Sequence, residues 1–327
     1  RKAKENYSKN LKHVYFPFDL KFICKKFISF YNPSILLLVE TEIWPNLINV
    51  SNEFKLPVVL VNGRLSDKSL KKYQRLSSFF KGSFNKIDHA FVQSKNDFER
   101  FFEAGINRDA MSVSGSIKFD INLMALKNFT ENEVNYYKEK YLFVCGSTHP
   151  GEEEILIDSF IDLNKDNKHL VLAPRHPERF GEIKELVNKK NLSNILYTEI
   201  SSNPNIKSDV TIVDVIGRLL DFYEIADCVF IGGTLVDHGG QNFLEPAFFN
   251  KPIISGRSTY NFDEISKKLS DLGLLKFVSN KDEISSVVEN IEAISDSLKK
   301  DTNLWLNENR GASKFISKKV CKDFNLV

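Results

Sequence analysis

Strand-sized apolar runs recur along this chain, and several of them stop abruptly at a polar cluster. The clusters are ETEIWP (40–45), NGRLS (62–66), GSIKFD (115–120), GSTHPGEEE (146–154), PRHPERF (174–180) and GGQNFLEPA (239–247). Helical patterns separate the runs almost throughout. Repeated alternation of this kind folds as parallel sheet covered by helices on both faces. In open parallel sheets, ligands bind outside the carboxyl ends of the strands. Polar clusters at so many strand ends predict a large ligand cleft rather than one local site.

The runs fall into two series. In the first, strands are expected at 35–39, 57–61, 89–93 and 111–115, with helices near 45–54, 67–80 and 95–104. In the second, strands are expected at 141–146, 169–174, 194–198, 210–214, 228–233 and 252–256. Helices are expected there at 151–164, 177–190, 217–226, 242–249 and 261–271, and the stretch 281–321 reads as two more. Between the series, INLMALKNFTENE (121–133) is polar and has no strand pattern, so it reads as a linker hinged near 121–130. The expectation is an α/β chain of two Rossmann-like domains facing across a cleft. One spans 1–122 and the other 123–310, with 311–327 a helix packing back toward the N-terminal domain. A doubly wound domain usually carries about five or six parallel strands. Only four are visible in the first series, so that domain is expected to be incomplete by one or two N-terminal βα units.

Composition narrows the function classes. The 327 residues are 42% hydrophobic and 27% charged, which suits two globular cores. A net charge of +2 implies no nucleic-acid partner. Cys24, Cys145, Cys228 and Cys321 are widely spread, as buried thiols of a reducing compartment would be. No run approaches the ~18 apolar residues of a membrane span, and no signal peptide is recognisable. The chain opens on the basic stretch RKAKENYSKN rather than on Met.

The clusters themselves suggest anion chemistry. Ser147 and Thr148 precede a helix, where hydroxyls, backbone N–H groups and the helix dipole favour a phosphate; the following Glu152, Glu153 and Glu154 are ordinary helix-start residues. Arg175 stands at the end of a strand and could grip phosphate bidentately, with His176 beside it, or pair with the acidic helix starts. Gly239 and Gly240 permit close backbone approach, and His238 lies in the same loop. Asn242 and Glu245 either cap the next helix or, for Glu245, accept bonds from a ribose. Glu40 and Glu42 follow the first strand, with Arg64 and Lys118 as partners at neighbouring strand ends. Lys68, Lys71 and Lys72 form a basic helix face, either solvated or facing an anionic lipid-linked acceptor. There is no GxxxxGK[ST], no GxGxxG after a first strand, and no metal-ligand spacing, so P-loop hydrolysis, dinucleotide dehydrogenation and a bound metal are not expected.

Taken in order across roughly 14–265, ETEIWPNLI, NGRLSDKS, GSIKFD, GSTHPGEEE, APRHPERF and GGTLVDHGGQNFLEPAFFNKPIISG resemble the 3-deoxy-D-manno-octulosonic acid (Kdo) transferases, GT-B glycosyltransferases of lipopolysaccharide inner-core assembly. The resemblance implies inverting transfer of Kdo from CMP-Kdo to a lipid A precursor (lipid IVA), without cofactor or metal, at the cytoplasmic face of the inner membrane. It places CMP on Pro174 and Arg175, on Ile216, Gly217 and Arg218, and on Asn242, Phe243, Leu244 and Glu245. It assigns transition-state stabilisation to Glu40 or Glu42 and to Lys118. Two departures stand out. The family usually reads Met-Gly-Glu where this chain has Ile216, Gly217 and Arg218. The family's catalytic Glu, in a Ser-Val-Gly-Glu-like loop upstream of the segment matching residue 14, has no counterpart here, nor has its anchor helix. The expectation is therefore an N-terminally truncated chain that binds CMP but transfers Kdo poorly. The alternatives are another GT-B transferase or epimerase using a UDP-sugar, or a non-catalytic nucleotide-sugar-binding protein.

Overall fold

The computed structural model describes residues 12–121, 126, 128–203, 205–291 and 294–326, with side chains left out at 77–79 and 81. The chain divides into two units, Arg1–Asp120 with Asn309–Val327, and Ile121–Glu308.

In the first unit, α1 (Lys21–Tyr31) precedes β1 (Leu36–Val39), α2 (Pro45–Glu53), β2 (Val58–Gly63), α3 (Asp67–Arg75), α4 (Ser77–Phe84), β3 (His89–Val92), α5 (Lys95–Ala104) and β4 (Met111–Val113). The four strands lie side by side in chain order, all parallel. Leu38, Val58, Leu60, Ala90 and Val92 face a core closed by Phe84 and Phe101. The single helix expected over 67–80 is two, α3 and α4, separated at Leu76. Ser66 caps the first of them by accepting the Ser69 N–H. The helix α1 was not anticipated; it buries only Cys24 and Ile28.

The second unit runs α6 (Glu131–Tyr137), β5 (Tyr141–Thr148), α7 (Glu152–Asp162), β6 (Lys168–Pro174), α8 (Phe180–Lys189), β7 (Asn194–Leu196), α9 (Tyr197–Ile200), β8 (Val210–Ile212), α10 (Leu219–Ile225), β9 (Cys228–Ile231), α11 (Leu244–Phe248), β10 (Ile253–Ser255), α12 (Asp263–Leu272), β11 (Leu275–Phe277), α13 (Lys281–Glu289) and α14 (Asp296–Glu308). Its strands order as β11-β10-β9-β5-β6-β8-β7, all parallel. The strands are apolar almost without alternation because both faces are covered. One face packs Phe143, Cys145, Leu170, Leu172 and Phe230 against Leu156, Ile157 and Phe160 of α7. The three-residue edge strand β11 was not expected, its apolar run being interrupted by the exposed Lys276.

The linker and the tail each differ from expectation. Of the expected hinge, 122–125 and 127 lie outside the described residues. Thr130 and Glu133 make a reciprocal capping box, so the polar stretch ends as the start of α6. Beyond 281 there are three helices rather than two, the last being α15 (Ala312–Asp323), which returns to the first unit. Its Ile316 and Val320 cover Val59 and Phe91 on the face opposite the Phe84 core. Asp120 accepts the N–H groups of Gly311 and Ser313 at the start of α15, each at 2.6 Å. Among the described residues, no helix is long and apolar enough to cross a membrane.

Candidate functional site

The strand order of the second unit defines a switch point. From β5 the chain moves to β6 on one side, and from β9 it moves to β10 on the other. Connections that diverge in this way open a crevice at the carboxyl ends of the two strands. Here the backbones lie close. A Cβ on Gly232 would fall 2.2 Å from the Ser147 carbonyl oxygen, so only glycine fits. Ser147 itself is left-handed, at φ +56°.

The carboxylate of Glu152 organises this crevice. It is fully buried. It accepts the N–H of His149 at 2.9 Å, of Gly233 at 2.7 Å, of Thr234 at 2.9 Å and of Leu235 at 3.0 Å. The glycine-rich turn after β9 therefore spends its N–H groups on a protein carboxylate. Gly239 and Gly240 serve packing as well. Both have positive φ, and a Cβ on Gly239 would lie 2.4 Å from the Tyr260 ring.

Beside the crevice, a cavity of about 130 Å³ is lined by Ser147, Pro174, Arg175, Ile216 and Gly217 among others. The structure thus brings five of the expected nucleotide-site residues together. Arg175 is exposed, and its guanidinium makes no ion pair among the described residues. Its backbone N–H bonds the Thr148 carbonyl at 3.0 Å, which holds the β6 end against β5. The acidic helix start is neutralised instead by Arg179, whose Nη1 lies 2.8 Å from Glu153 Oε1 and whose Nη2 lies 2.8 Å from Glu182. His176 points to solvent, with Nδ1 3.6 Å from Glu178.

Other expected residues are placed differently. Thr148 is buried, and its hydroxyl donates to Glu153. Phe243 and Leu244 are fully buried, so only their backbones could meet a ligand. Arg218 turns inward. Its Nη1 is 3.1 Å from Asp221 and its Nη2 is 3.8 Å from Glu133, with the Asn128 carbonyl accepting from Nη2 at 3.2 Å. The guanidinium also lies over the rings of Phe129 and Tyr197 at 5.0 and 5.1 Å. Ile216 and Gly217 face the cavity, while Arg218 fastens α6 to α10.

At the start of α11, Asn242 Oδ1 accepts the Leu244 N–H, and its Nδ2 donates to Glu245 Oε1 at 3.1 Å. Burial raises the Glu245 carboxyl above its usual range, partly offset by Asn242. His238 stacks on His149, with centroids 4.3 Å apart and planes 21° from parallel. Burial lowers the His149 ring below its ordinary value, and the neighbouring His238, His176 and Arg175 add to that, against Glu153. No sequence pattern distinguishes His149 as half of a pair, because its partner lies 89 residues away in the β9 loop.

In the first unit, Lys118 Nζ lies 3.5 Å from Glu40 Oε1. The turn carrying Lys118 is fixed by Asn62, whose side chain accepts the Ile117 N–H at 3.1 Å. Glu42 instead accepts from the Trp44 indole at 3.0 Å. Arg64 sits in a loop held by Asp97, which accepts the Leu65 N–H, and the Arg64 carbonyl accepts the Thr41 hydroxyl. Lys68, Lys71 and Lys72 are exposed on α3. Among the described residues, no group of three or more His, Cys, Asp or Glu side chains gathers as a metal site.

The family model for 3-deoxy-D-manno-octulosonic-acid transferase (kdotransferase) matches residues 1–121. A bifunctional glycosyltransferase/methyltransferase of Fusobacterium nucleatum is 35% identical over 323 residues, 98% of this chain and 49% of that protein. A 3-deoxy-D-manno-octulosonic acid transferase of Haemophilus influenzae is 32% identical over 319 residues, 95% of this chain and 74% of that protein. The chain thus spans about half the length of the first relative and three quarters of the second. A UDP-GlcNAc 2-epimerase of Neisseria meningitidis, solved with UDP-GlcNAc, superposes with a TM-score of 0.59 at 14% identity, over 92% of this chain and 80% of that one. At that identity the likeness is one of fold, the GT-B kind built from two parallel α/β units.

Proposed function

Because the chain belongs to the 3-deoxy-D-manno-octulosonic acid transferase family, we propose that it serves the transfer of Kdo from CMP-Kdo to a lipid A precursor, with inversion. The observation that carries this reading is the cavity of Ser147, Pro174, Arg175, Ile216 and Gly217 at the strand carboxyl ends, with a guanidinium at its rim that makes no ion pair among the described residues.

In this reading Arg175 grips the CMP phosphate through two parallel N–H bonds. Ser147 and the backbone around Ile216 and Gly217 enclose the nucleotide, and Glu245 accepts from a ribose hydroxyl. The anomeric carbon is attacked directly by an acceptor hydroxyl whose proton a base has taken. As CMP departs with its negative charge, Lys118 offsets the developing charge, and Glu40 holds that ammonium in place. The exposed lysines of α3 attract the anionic lipid acceptor at a membrane surface, and we place that surface at the cytoplasmic face of the inner membrane.

Calorimetric titration with CMP, with UDP as control, tests the donor half. The chain is expected to bind CMP in preference to UDP, and Arg175→Ala to weaken CMP at least about tenfold, as the loss of a charge-assisted pair does. A folded chain that binds neither nucleotide, or an Arg175→Ala variant that binds CMP as tightly as the parent, would remove the assignment.

A further inference from the structure

At the amino ends of β5, β6 and β8, a second cavity of about 430 Å³ opens on the edge of the sheet opposite the donor site. The two are separated by the eight residues of β5, roughly 25 Å at about 3.3 Å per residue. Four lysines line it, Lys138, Lys140, Lys168 and Lys207, against the single carboxylate of Glu139. Neutral amide donors complete the lining, among them Asn135 and Asn205.

The four lysines are not equivalent. Lys168 spends its ammonium on the carbonyls of Phe160, Ile161 and Leu163 at the end of α7. Lys138 and Lys207 are exposed at the rim. Lys140 Nζ is buried and has no hydrogen-bond partner among the described residues. It lies over the Tyr136 ring, 3.4 Å from Nζ to the centroid, with Tyr137 at 5.8 Å. An ammonium carries three donors, and leaving them unmade away from water is costly. Among the described residues, no titratable group nearby supplies the missing partner. The Asp209 carboxylate, which attracts Lys140 electrostatically, receives the N–H and hydroxyl of Ser193. His169 is held neutral, pushed down to about 3 by burial and by Lys140, and its ring nitrogens meet the Ser208 carbonyl and Thr211 hydroxyl. Glu139 is exposed at the rim. An anion in the cavity would supply what the protein does not once the flexible side chain swings Nζ off the Tyr136 ring, since in the free chain that atom is closed to solvent.

We propose that this cavity binds the phosphate group of a small ligand, with Lys138, Lys140 and Lys207 as its counter-charges and the neighbouring side-chain amides as neutral donors. Phosphate fits better than a carboxylate, because its second charge matches several separate ammonium groups and lysine meets it as a point charge. The volume admits a phosphorylated molecule of sugar or headgroup size. The phosphate could come from a soluble molecule or from a phospholipid headgroup, and both offer the same chemistry to the lysines.

The test follows the lysine side chains of the whole chain by NMR. In the free chain Lys140 titrates with a midpoint lowered by burial to about 8. Inorganic phosphate is expected to raise that midpoint saturably, by about half a unit or more, while chloride at equal ionic strength does not. Vesicles of phosphatidylglycerol in phosphatidylcholine form the second arm. Sedimentation with them that depends on Lys140, without a response to inorganic phosphate, identifies the lipid headgroup as the source. Lys140→Met is expected to abolish the phosphate-induced shifts of the Lys138 and Lys207 side-chain signals, which that variant still carries. Lys207→Gln, at the exposed rim where folding is not at stake, is expected to weaken the response several-fold. A folded chain that responds to neither probe, that responds equally to chloride, or that keeps the full response after both substitutions overturns the proposal.

Discussion

Glu152 shows how one residue can serve two segments of chain. In sequence it is the first of three acidic residues at a helix start, where the helix dipole alone would account for it. In the fold its carboxylate is the shared acceptor for four N–H groups, three of them from the turn after β9. Glu152→Ala leaves those groups buried and unpaired, and is expected to lower stability by about 3 kcal/mol or more, measured by denaturant unfolding. A loss below about 1 kcal/mol would mean that the turn satisfies itself. Arg218 makes a related case. Its guanidinium lies in the core between Asp221 and Glu133. Arg218→Ala is therefore expected to cost about 3–5 kcal/mol, because it strands two buried carboxylates. The CMP affinity of the folded protein should change by less than about twofold. An affinity loss as large as that of Arg175→Ala would place Arg218 on the nucleotide instead.

At the scale of elements, Asp120 and α15 form one device. The last residue before the linker accepts two N–H groups at the start of a helix that begins almost two hundred residues later. Burial by itself would raise the Asp120 carboxyl, but the Gly311 and Ser313 N–H groups, the Ser313 hydroxyl and Arg310 together hold it below its usual range. A carboxyl depressed in this way contributes stability above its unfolded value, near 3.8, and loses it as pH falls through the folded value. Asp120→Asn is expected to cost about 1 kcal/mol at pH 7, typical of a lost helix cap. The difference from the parent should shrink below about pH 4. A difference that stays constant down to pH 2 would show that the side chain acts by packing rather than by charge.

At the scale of the molecule, two units each carry their own apolar core. Domains built in this way can unfold in separate steps. Scanning calorimetry is expected to resolve two transitions, with CMP raising only that of the second unit. The gain should be about 2.7 kcal/mol at a hundred times the dissociation constant. A single transition that CMP moves as a whole would mean that the units unfold together.

Much of this protein was legible in the residues alone. The period and length of apolar runs determined ten of the eleven described strands and their parallel α/β arrangement, because a strand covered on both faces must be apolar at almost every position. The strand β11 lies at the edge of its sheet, where the exposed Lys276 interrupts the apolar run that marks the others. The polar clusters located the strand ends, and the order of the motifs pointed to the family that the relatives bear out. What the sequence could not contain was the partner of each polar group. Whether Arg175 or Arg179 would take Glu153, whether Arg218 would face ligand or core, and which N–H groups would be consumed by Glu152 depended on segments tens of residues apart meeting at one point. Side-chain chemistry is local to the sequence. The satisfaction of buried charges and hydrogen bonds belongs to the space between segments, and only the tertiary structure determines it.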